Sequence, residues 1–210
     1  MIVLPRLYAI LDSALARQHG WDPLDLGRAF LEGGARLIQI RAKDEPSGAF
    51  LDLCDALVTM AAPYAASIIV NDRADLARLA GAAGVHVGQE DLPPAKARAI
   101  VGPEAMVGLS THSLAQLEAA AAEPVSYLAV GPVFGTATKD TGYVAVGLGL
   151  VKEAAARVPG LPIVAIGGIS LERAPDVLSA GARSVAVISD LVTGGDPAKR
   201  VRAYVDRLAR

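Results

Sequence analysis

Residues 67–89 read SIIVNDRADLARLAGAAGVHVGQ, and this stretch contains two short apolar runs separated by a helical pattern. The runs Ser67–Val70 and Gly84–Val87 are each four residues long. Short apolar runs of this kind are typical of strands that are covered on both faces, as in a parallel sheet. Asp72–Ala80, between them, has the spacing of an amphipathic helix. The stretch therefore predicts one strand–helix–strand unit with a right-handed crossover.

The same unit repeats along the chain. Eight short runs are rich in Val, Ile, Leu or Ala: Ile2–Ile10, Leu37–Ile40, Ser67–Val70, Gly84–Val87, Ala105–Leu109, Ser126–Val130, Pro162–Ile166 and Ser184–Ile188. Helical patterns follow them at Pro23–Gly33, Ser47–Met60, Asp72–Ala80, Pro93–Val101, Ser113–Ala122, Gly147–Val158, Ser170–Ala180 and Asp196–Leu208. Eight strand–helix units predict an α/β protein with a closed (β/α)8 TIM barrel. A doubly wound open sheet is the alternative, but it usually contains fewer units.

Length and composition fit one such barrel. The chain has 210 residues, 52% of them hydrophobic and 20% charged, which is enough apolar material for a large core. No linker or change of composition divides it, so we expect residues 1–210 to form a single (β/α)8 catalytic domain.

Charge and cysteine content exclude several classes of protein. Twenty Lys and Arg against 22 Asp and Glu leave a net charge of −2, so no bulk basic surface is available for nucleic acid or an anionic membrane. Cys54 is the only cysteine, which rules out an intrachain disulfide, and we interpret it as a buried apolar residue. The sequence shows neither a signal-peptide pattern nor an apolar run of about 18 residues, so we expect a cytoplasmic protein.

The ends of the predicted strands carry the chemistry, because parallel barrels build their sites from the loops that follow the strands. Gln39, Arg41 and Lys43 alternate after the second strand and so point to one side. Asp72 and Asp91 follow the third and fourth strands, and paired carboxylates suit Mg²⁺, which shares its ligands with substrate phosphates. Two other interpretations stay open: a solvated rim for the cations, and helix capping for the carboxylates, which explains Asp91 less well.

The later strand ends suggest a second anion site. A glycine pair, Gly167-Gly168, follows the seventh strand, and Ser189 follows the eighth; loops at these places form the usual phosphate site of such barrels. The long loop 131–146 adds hydroxyl groups and a cation at Thr136, Thr138 and Lys139. Ser110 ends the fifth strand, and we expect no base to be paired with it. His86 is interpreted as a packing residue, and no two histidines have zinc-binding spacing.

These motifs resemble the thiamine phosphate synthase family. The resemblance covers nearly the whole chain, in the family's order, and rests on these segments: Leu7-Tyr8-Ala9-Ile10, Gln39-x-Arg41-x-Lys43, Asn71-Asp72-Arg73-x-Asp75-Leu76, Gly84-Val85-His86-x-Gly88-Gln89-x-Asp91, Gly108-x-Ser110-Thr111-His112, Gly131-Pro132-x-Phe134-x-Thr136-x-Thr138-Lys139, Val164-Ala165-Ile166-Gly167-Gly168-Ile169 and Val185-Ala186-Val187-Ile188-Ser189.

The resemblance implies a function for each group of residues. The family joins 4-amino-2-methyl-5-(diphosphooxymethyl)pyrimidine to 4-methyl-5-(2-phosphooxyethyl)thiazole and releases diphosphate. By likeness, the pyrimidine diphosphate is held by Gln39, Arg41, Lys43, Asn71, Ser110 and Lys139, of which Arg41, Lys43, Ser110 and Lys139 are the catalytic candidates. Mg²⁺ is held by Asp72 and Asp91. The thiazole phosphate is held by Thr136, Thr138, Gly168, Ile188 and Ser189. The partners implied are two small phosphorylated substrates and a second copy in a homodimer.

Asp190 departs from the family pattern, in which a small residue usually follows the serine at position 189. A carboxylate facing the phosphate would weaken binding, so we expect Asp190 to point into solvent or to pair with Arg173 or Arg183. Two other functions remain alternatives: a thiazole tautomerase-like relative, and a non-catalytic barrel that binds thiamine precursors. Such tautomerases generally lack the full diphosphate and metal set that this sequence has.

Overall fold

Eight parallel strands close into a barrel in the computed structural model, which describes residues 3–135 and 144–209. The strands are β1 (Leu7–Asp12), β2 (Leu37–Arg41), β3 (Ser67–Asn71), β4 (Gly84–Val87), β5 (Met106–Thr111), β6 (Tyr127–Val130), β7 (Ile163–Ile166) and β8 (Ser184–Val187). Each strand pairs with the next one, and β8 pairs with β1. The predicted TIM barrel is confirmed, and the open sheet is excluded because an open sheet leaves two unpaired edges.

Helices connect the strands across the outside of the barrel. Within the described ranges they are α1 (Ser13–Gln18), α2 (Pro23–Gly33), α3 (Ser47–Ala61), α4 (Ala74–Leu79), α5 (Pro94–Val101), α6 (Leu114–Ala120), α7 (Gly147–Arg157), α8 (Ala174–Ser179) and α9 (Pro197–Leu208). None of these helices is long and apolar enough to cross a membrane.

The first strand differs from its prediction. It begins at Leu7, not near residue 2, and continues to Asp12, two residues past the predicted end. Pro5 has no backbone N–H, so the segment before Leu7 is a poor member of a ladder. The chain then enters α1, which the sequence did not predict, and Asp12 caps this helix by accepting from the Leu15 N–H at 3.0 Å.

Side chains of alternate strand residues divide into two layers. Outward-facing residues pack against the helices and form the larger apolar cluster, in which Cys54 is fully buried as predicted. Burial, followed by the nearby Asp55 charge, raises the pKa of the Cys54 thiol to about 12, so it is no nucleophile at neutral pH. The inward-facing layer is smaller and includes two buried tyrosines, Tyr8 and Tyr127. Polar side chains replace apolar ones toward the carboxyl ends of the strands.

Candidate active site

Two neighbouring strand ends bring cations against carboxylates. Arg41, at the end of β2, forms an ion pair with Asp12 at the end of β1. Lys43 extends from the next loop, and its Nζ lies 3.1 Å from Oδ2 of Asp72. Gln39 lies deeper in β2 and is only 5% exposed. Both cations therefore sit at the rim of the barrel, already paired, with Gln39 below them.

Asp72 and Asp91 are placed for something other than helix capping. Asp72 lies before α4, whose first turn receives no side-chain cap, and its backbone has a left-handed φ of 63°. Such a conformation is uncommon outside glycine, although Asp adopts it more readily than most residues, and strained positions of this kind cluster at functional sites. Asp91 accepts from the Gly88 N–H at 2.7 Å within its own loop, three residues ahead of α5. The capping interpretation is thus wrong for both carboxylates.

The two carboxyl groups lie close to each other. Burial and a hydrogen bond with the Asp91 carboxyl raise the pKa of Asp72 above its ordinary value, and the Lys43 ammonium opposes this rise. Two adjacent carboxylates repel each other, and a divalent cation relieves the repulsion. Mg²⁺ typically uses one or two carboxylates and completes its shell with water and phosphate oxygens. The pair fits Mg²⁺ in this respect, although the described residues contain no cluster of three or more His, Cys, Asp or Glu side chains placed for a metal.

The opening of the barrel at the carboxyl ends of the strands is called the mouth. Asn71 and Ser110 complete this side of it. Asn71 ends β3 directly before Asp72 and is 8% exposed. Ser110 lies in β5, and its Oγ is 2.9 Å from Nε2 of His86. We call this group the charged half of the mouth; its members are Gln39, Arg41, Lys43, Asn71, Asp72 and Asp91, with Ser110 at its edge.

His86 is more than the packing residue that the sequence suggested. Its two ring nitrogens contact Ser110 on one side and the hydroxyl of Tyr127 on the other, at 2.9 and 3.0 Å. A histidine is therefore hydrogen-bonded to Ser110, a contact that the sequence did not lead us to expect. The contact could not be predicted from the sequence, because it depends on the register in which β4 and β5 pair.

A cavity of about 560 Å³ opens on the opposite side of the mouth. Four predicted site residues line it: Ser110, Gly168, Ile188 and Ser189. The remaining wall is mostly glycine and apolar residues from the loops after β6, β7 and β8, together with His112, Ser170, Asp190 and Thr193. We call Gly167, Gly168, Ile188 and Ser189 the glycine half of the mouth. Ser110 belongs to the edge of both halves and so lies where two ligands would meet.

Gly167 and Gly168 are required by the geometry of the loop after β7. Their φ angles are 103° and 62°, a region that favours glycine. A Cβ on Gly168 would lie 2.5 Å from the carbonyl oxygen of Gly135, and one on Gly167 would lie 2.5 Å from Cβ of Pro132. The loop is consequently packed against the 131–135 segment, with its backbone exposed to the cavity.

Asp190 is partly buried, and its carboxylate is bound by partners that the sequence did not predict. Nη2 of Arg200 lies 2.9 and 2.8 Å from its two carboxylate oxygens, and the Tyr204 hydroxyl also donates to it. The Leu171 N–H donates to the same carboxylate at 3.2 Å. The expected pairing with Arg173 or Arg183 is therefore wrong: α9 supplies the cation, because it packs beside the loop after β8.

Arg173 makes different contacts. Its guanidinium lies over the Phe134 ring, 4.8 Å from the centroid, and Nη1 is 3.4 Å from the Gly168 carbonyl oxygen. Arg173 therefore contacts the glycine half from outside the cavity, whereas Arg200 is the cation that pairs with Asp190.

Three predicted site residues, Thr136, Thr138 and Lys139, lie outside the described residues. The sequence analysis missed Asp12, Tyr8 and Tyr127. The predicted first strand ends at residue 10, two residues before Asp12, and the sequence pattern does not distinguish the tyrosines from other strand residues. A signal for Asp12 was present: it directly follows the apolar pair Ile10-Leu11.

The fold and the residues around the mouth define the class of protein. This is a (β/α)8-barrel enzyme whose site lies at the carboxyl ends of the strands, with carboxylates and cations on one side and a backbone-lined cavity on the other.

Comparisons with known proteins then give the family. The family model described as thiamine monophosphate synthase matches residues 7–191. A thiamine-phosphate synthase from Mycolicibacterium gilvum is 45% identical over 213 residues, covering 97% of this chain and 86% of that protein. Another, from Methanoculleus marisnigri, is 43% identical and covers 97% and 95%. A solved structure of thiamine phosphate pyrophosphorylase from Pyrococcus furiosus has a TM-score of 0.88 at 32% identity, covering 98% of this chain and 96% of that one.

The chain belongs to the thiamine monophosphate synthase family. This confirms the predicted family and, with it, the prediction of a thiamine-phosphate synthase, a transferase, over other barrel enzymes. The roles of individual site residues and of Mg²⁺ stay predictions.

Proposed function

We propose that this barrel joins 4-amino-2-methyl-5-(diphosphooxymethyl)pyrimidine to 4-methyl-5-(2-phosphooxyethyl)thiazole, giving thiamine phosphate and diphosphate, with residues 1–210 acting as one catalytic domain. One observation carries the proposal: the mouth has two chemically different halves that meet at Ser110. A diphosphate leaving group needs charge, and a monophosphate that only has to be held needs backbone donors. The family and its named relatives support the same assignment.

The charged half binds the pyrimidine diphosphate in this proposal. Arg41 and Lys43 are within reach of a diphosphate at the rim, and both would exchange part of their present carboxylate contact for phosphate oxygens. Gln39, Asn71 and Ser110 lie lower and would contact the pyrimidine. Lys139 is assigned to the diphosphate as well, from the resemblance alone.

The glycine half binds the thiazole phosphate. The backbone around Gly168 and Ser189 offers N–H groups at short range, and Ile188 provides an apolar contact. Thr136 and Thr138 are assigned to this substrate by the resemblance. Asp190 does not oppose the phosphate, because its carboxylate is neutralised by Arg200.

The reaction proceeds by dissociation followed by capture. The C–O bond between the pyrimidine methylene and diphosphate breaks, and the diphosphate takes the bonding electrons. The thiazole nitrogen then donates its lone pair to the methylene cation and forms the new C–N bond. Arg41, Lys43 and Lys139 stabilise the charge that develops on the leaving group, while the two halves keep both substrates in contact. Asp72 and Asp91 would hold Mg²⁺, which supplies further neutralisation of the diphosphate when bound.

No protein nucleophile is needed in this mechanism. Ser110 acts as a hydrogen-bond partner of the substrate, and Cys54 is buried on the far side of the barrel wall. Two further expectations belong to the same proposal: a cytoplasmic location, from the sequence pattern, and a homodimer, from the resemblance. Size-exclusion chromatography with light scattering tests the homodimer.

The first experiment follows product formation from both substrates in Mg²⁺ and then in excess EDTA. We expect thiamine phosphate and diphosphate in equal amounts with Mg²⁺, and a fall in turnover of about 10³-fold or more with EDTA, restored by added Mg²⁺. Undiminished turnover in EDTA would remove the metal role of Asp72 and Asp91. No product from folded protein that still binds the thiazole phosphate would favour a tautomerase-like relative or a precursor-binding barrel.

A further inference from the structure

The geometry points to a hydrogen-bond chain of fixed direction that crosses the barrel interior and makes Ser110 a hydrogen-bond donor to the pyrimidine substrate. The chain runs, in order, through Gln39, Tyr8, Tyr127, His86 and Ser110. Its two ends are proposed ligands of the pyrimidine diphosphate, so the inference rests on the proposed function. The three members between them are positioning residues, which act on the substrate through the ends.

Every link of the chain is a well-formed hydrogen bond. Gln39 Nε2 lies 2.9 Å from the Tyr8 hydroxyl, and the two tyrosine hydroxyls are 3.0 Å apart. The Tyr127 hydroxyl is 3.0 Å from His86 Nδ1, and His86 Nε2 is 2.9 Å from Ser110 Oγ. Tyr8 and Tyr127 are 1% and 0% exposed, so water does not compete along the middle of the chain.

The direction of the chain follows from its first link. The amide nitrogen of Gln39 only donates, so the Tyr8 oxygen accepts there. Among the described residues, Tyr127 is the remaining hydrogen-bond partner of the buried Tyr8 hydroxyl, so the Tyr8 proton points to the Tyr127 oxygen. The Tyr127 hydroxyl therefore accepts from Tyr8 and donates its own proton to His86 Nδ1. Burial raises the pKa of both tyrosines well above the ordinary value, which keeps both hydroxyls protonated.

The histidine transmits this direction to the mouth. Nδ1 of His86 is an acceptor, so in the neutral ring the proton is on Nε2, which donates to Ser110 Oγ. The Ser110 oxygen then accepts from His86, so its own proton can point into the mouth, where Ser110 lies at the edge of both halves. Ser110 can therefore donate to a pyrimidine ring nitrogen or to a diphosphate oxygen.

This arrangement also separates the site from a Ser–His nucleophile. A histidine that activates serine must accept the serine proton at the nitrogen facing it. In His86 that nitrogen already carries a proton. Ser110 is consequently oriented for binding, as a reaction without a protein nucleophile requires.

Gly108 provides the space for the chain. A Cβ at this position would lie 2.5 Å from His86 Nδ1 and 2.2 Å from Cζ of Tyr127. The two rings can therefore stack, with centroids 5.6 Å apart and planes inclined by 22°. The glycine lets both side chains reach the interior position at which the link between them forms.

His112 supplies an internal reference. Its Nδ1 lies 2.6 Å from the carbonyl oxygen of Gly131, and because a carbonyl only accepts, Nδ1 of His112 carries the proton. The structure therefore gives His86 and His112 opposite tautomers. The third histidine in the sequence, His19, is exposed.

The test is ¹⁵N NMR of the imidazole nitrogens in the wild-type protein at slightly alkaline pH, without substrate. Signals are assigned with the variants His19→Gln and His112→Gln. We expect the proton of His86 on Nε2 and that of His112 on Nδ1. A proton on Nδ1 of His86, whether or not Nε2 also carries one, overturns the inference. This outcome is independent of turnover, so it is distinct from a failure of the proposed function.

A kinetic test measures the effect on substrate. Tyr127→Phe removes the donor to His86 Nδ1, and we expect the KM for the pyrimidine diphosphate to rise about tenfold, the factor typical of one lost hydrogen bond, while the KM for the thiazole phosphate changes less than about twofold. In the same variant the ¹⁵N signals of His86 should lose their single-tautomer pattern.

Tyr204→Phe is the matched control, because Tyr204 is likewise a buried tyrosine, 0% exposed, but its hydroxyl lies beside the glycine half. It should leave the KM for the pyrimidine diphosphate at the wild-type value. Equal rises for both substrates in Tyr127→Phe, or an unchanged KM for the pyrimidine diphosphate, would overturn the inference. If Tyr127→Phe does not fold, the tautomer in the wild-type protein still decides the direction of the chain.

Discussion

The charged half and the glycine half of the mouth prepare for phosphate groups in different ways. The charged half places side chains of both signs at the rim, and each cation is already matched to a carboxylate. The glycine half exposes backbone, and the carboxylate of Asp190, which lines the same cavity, is paired with Arg200. Under the proposed function, charge is concentrated where the leaving group gains it, and a compact backbone loop holds the second phosphate.

The largest loss of activity is expected from a change in the charged half, at Asp72. Asp72→Asn keeps the size of the side chain and removes its charge, and we expect kcat/KM to fall about 10²-fold, equivalent to about 3 kcal/mol of transition-state stabilisation. The Mg²⁺ concentration needed for half-maximal rate should rise as well. Steady-state kinetics across a Mg²⁺ titration measure both effects.

Asp75→Asn is the control for that variant, because Asp75 lies three residues further on, pairs with Arg73 and has a side chain that is 52% exposed. It should retain the wild-type rate. A wild-type rate in Asp72→Asn would exclude Asp72 from the site.

On the glycine half, the largest effect is expected from Gly168→Val. The left-handed φ and the Gly135 carbonyl oxygen leave no space for a side chain, so the loop must move. We expect the KM for the thiazole phosphate to rise about 30-fold or more, as a distortion of about 2 kcal/mol implies, with a much smaller change for the pyrimidine diphosphate.

Gly160→Val serves as its control, because nothing lies within 4 Å of a Cβ at Gly160. Initial-rate measurements with each substrate varied in turn give the two KM values. Equal losses for both substrates in Gly168→Val would contradict the assignment of this loop to one of them.

A smaller effect, again confined to the glycine half, is expected from a change at Asp190. Asp190→Ala removes the acceptor that links the Leu171 N–H, Arg200 and Tyr204, so the loops after β7 and β8 lose a common anchor. We expect the KM for the thiazole phosphate to rise about fivefold to tenfold with kcat nearly unchanged, and the protein to lose about 1–3 kcal/mol of stability.

Asp206→Asn, on the same helix as Arg200 but exposed, controls for a general effect on α9. Denaturant unfolding and the two KM values are measured on both variants. A fall in kcat without a change in either KM would show that Asp190 acts on something other than the phosphate loops.

The sequence predicted the barrel because its signal is local and repeated. Each apolar run and each helical pattern is visible within about ten residues, and eight repeats leave few topologies. The beginning of the first strand was misplaced because apolar character continues through residues 2–4, whereas the ladder requires backbone donors that Pro5 lacks. The strand-end residues were found by the same local reasoning, since their position relative to a strand fixes the face on which they lie.

Partners distant in the sequence could not be found this way. Asp12 and Arg41 are 29 residues apart, His86 and Ser110 are 24 apart, and Tyr8 and Tyr127 are 119 apart. Each pairing depends on which strands are neighbours and in what register, and β1 meets the far end of the chain only when the barrel closes.

The amino-acid sequence by itself thus determined the fold class, the family and the set of strand-end residues, because these depend on local periodicity and on residue order. Tertiary structure alone decided which charges neutralise one another, that Arg200 accounts for Asp190, that Asp72 and Asp91 face each other instead of capping helices, and that Ser110 stands at the end of a polar chain. The physical reason is that hydrogen bonds and ion pairs act over about 3–4 Å in space, a distance that only the closed barrel sets.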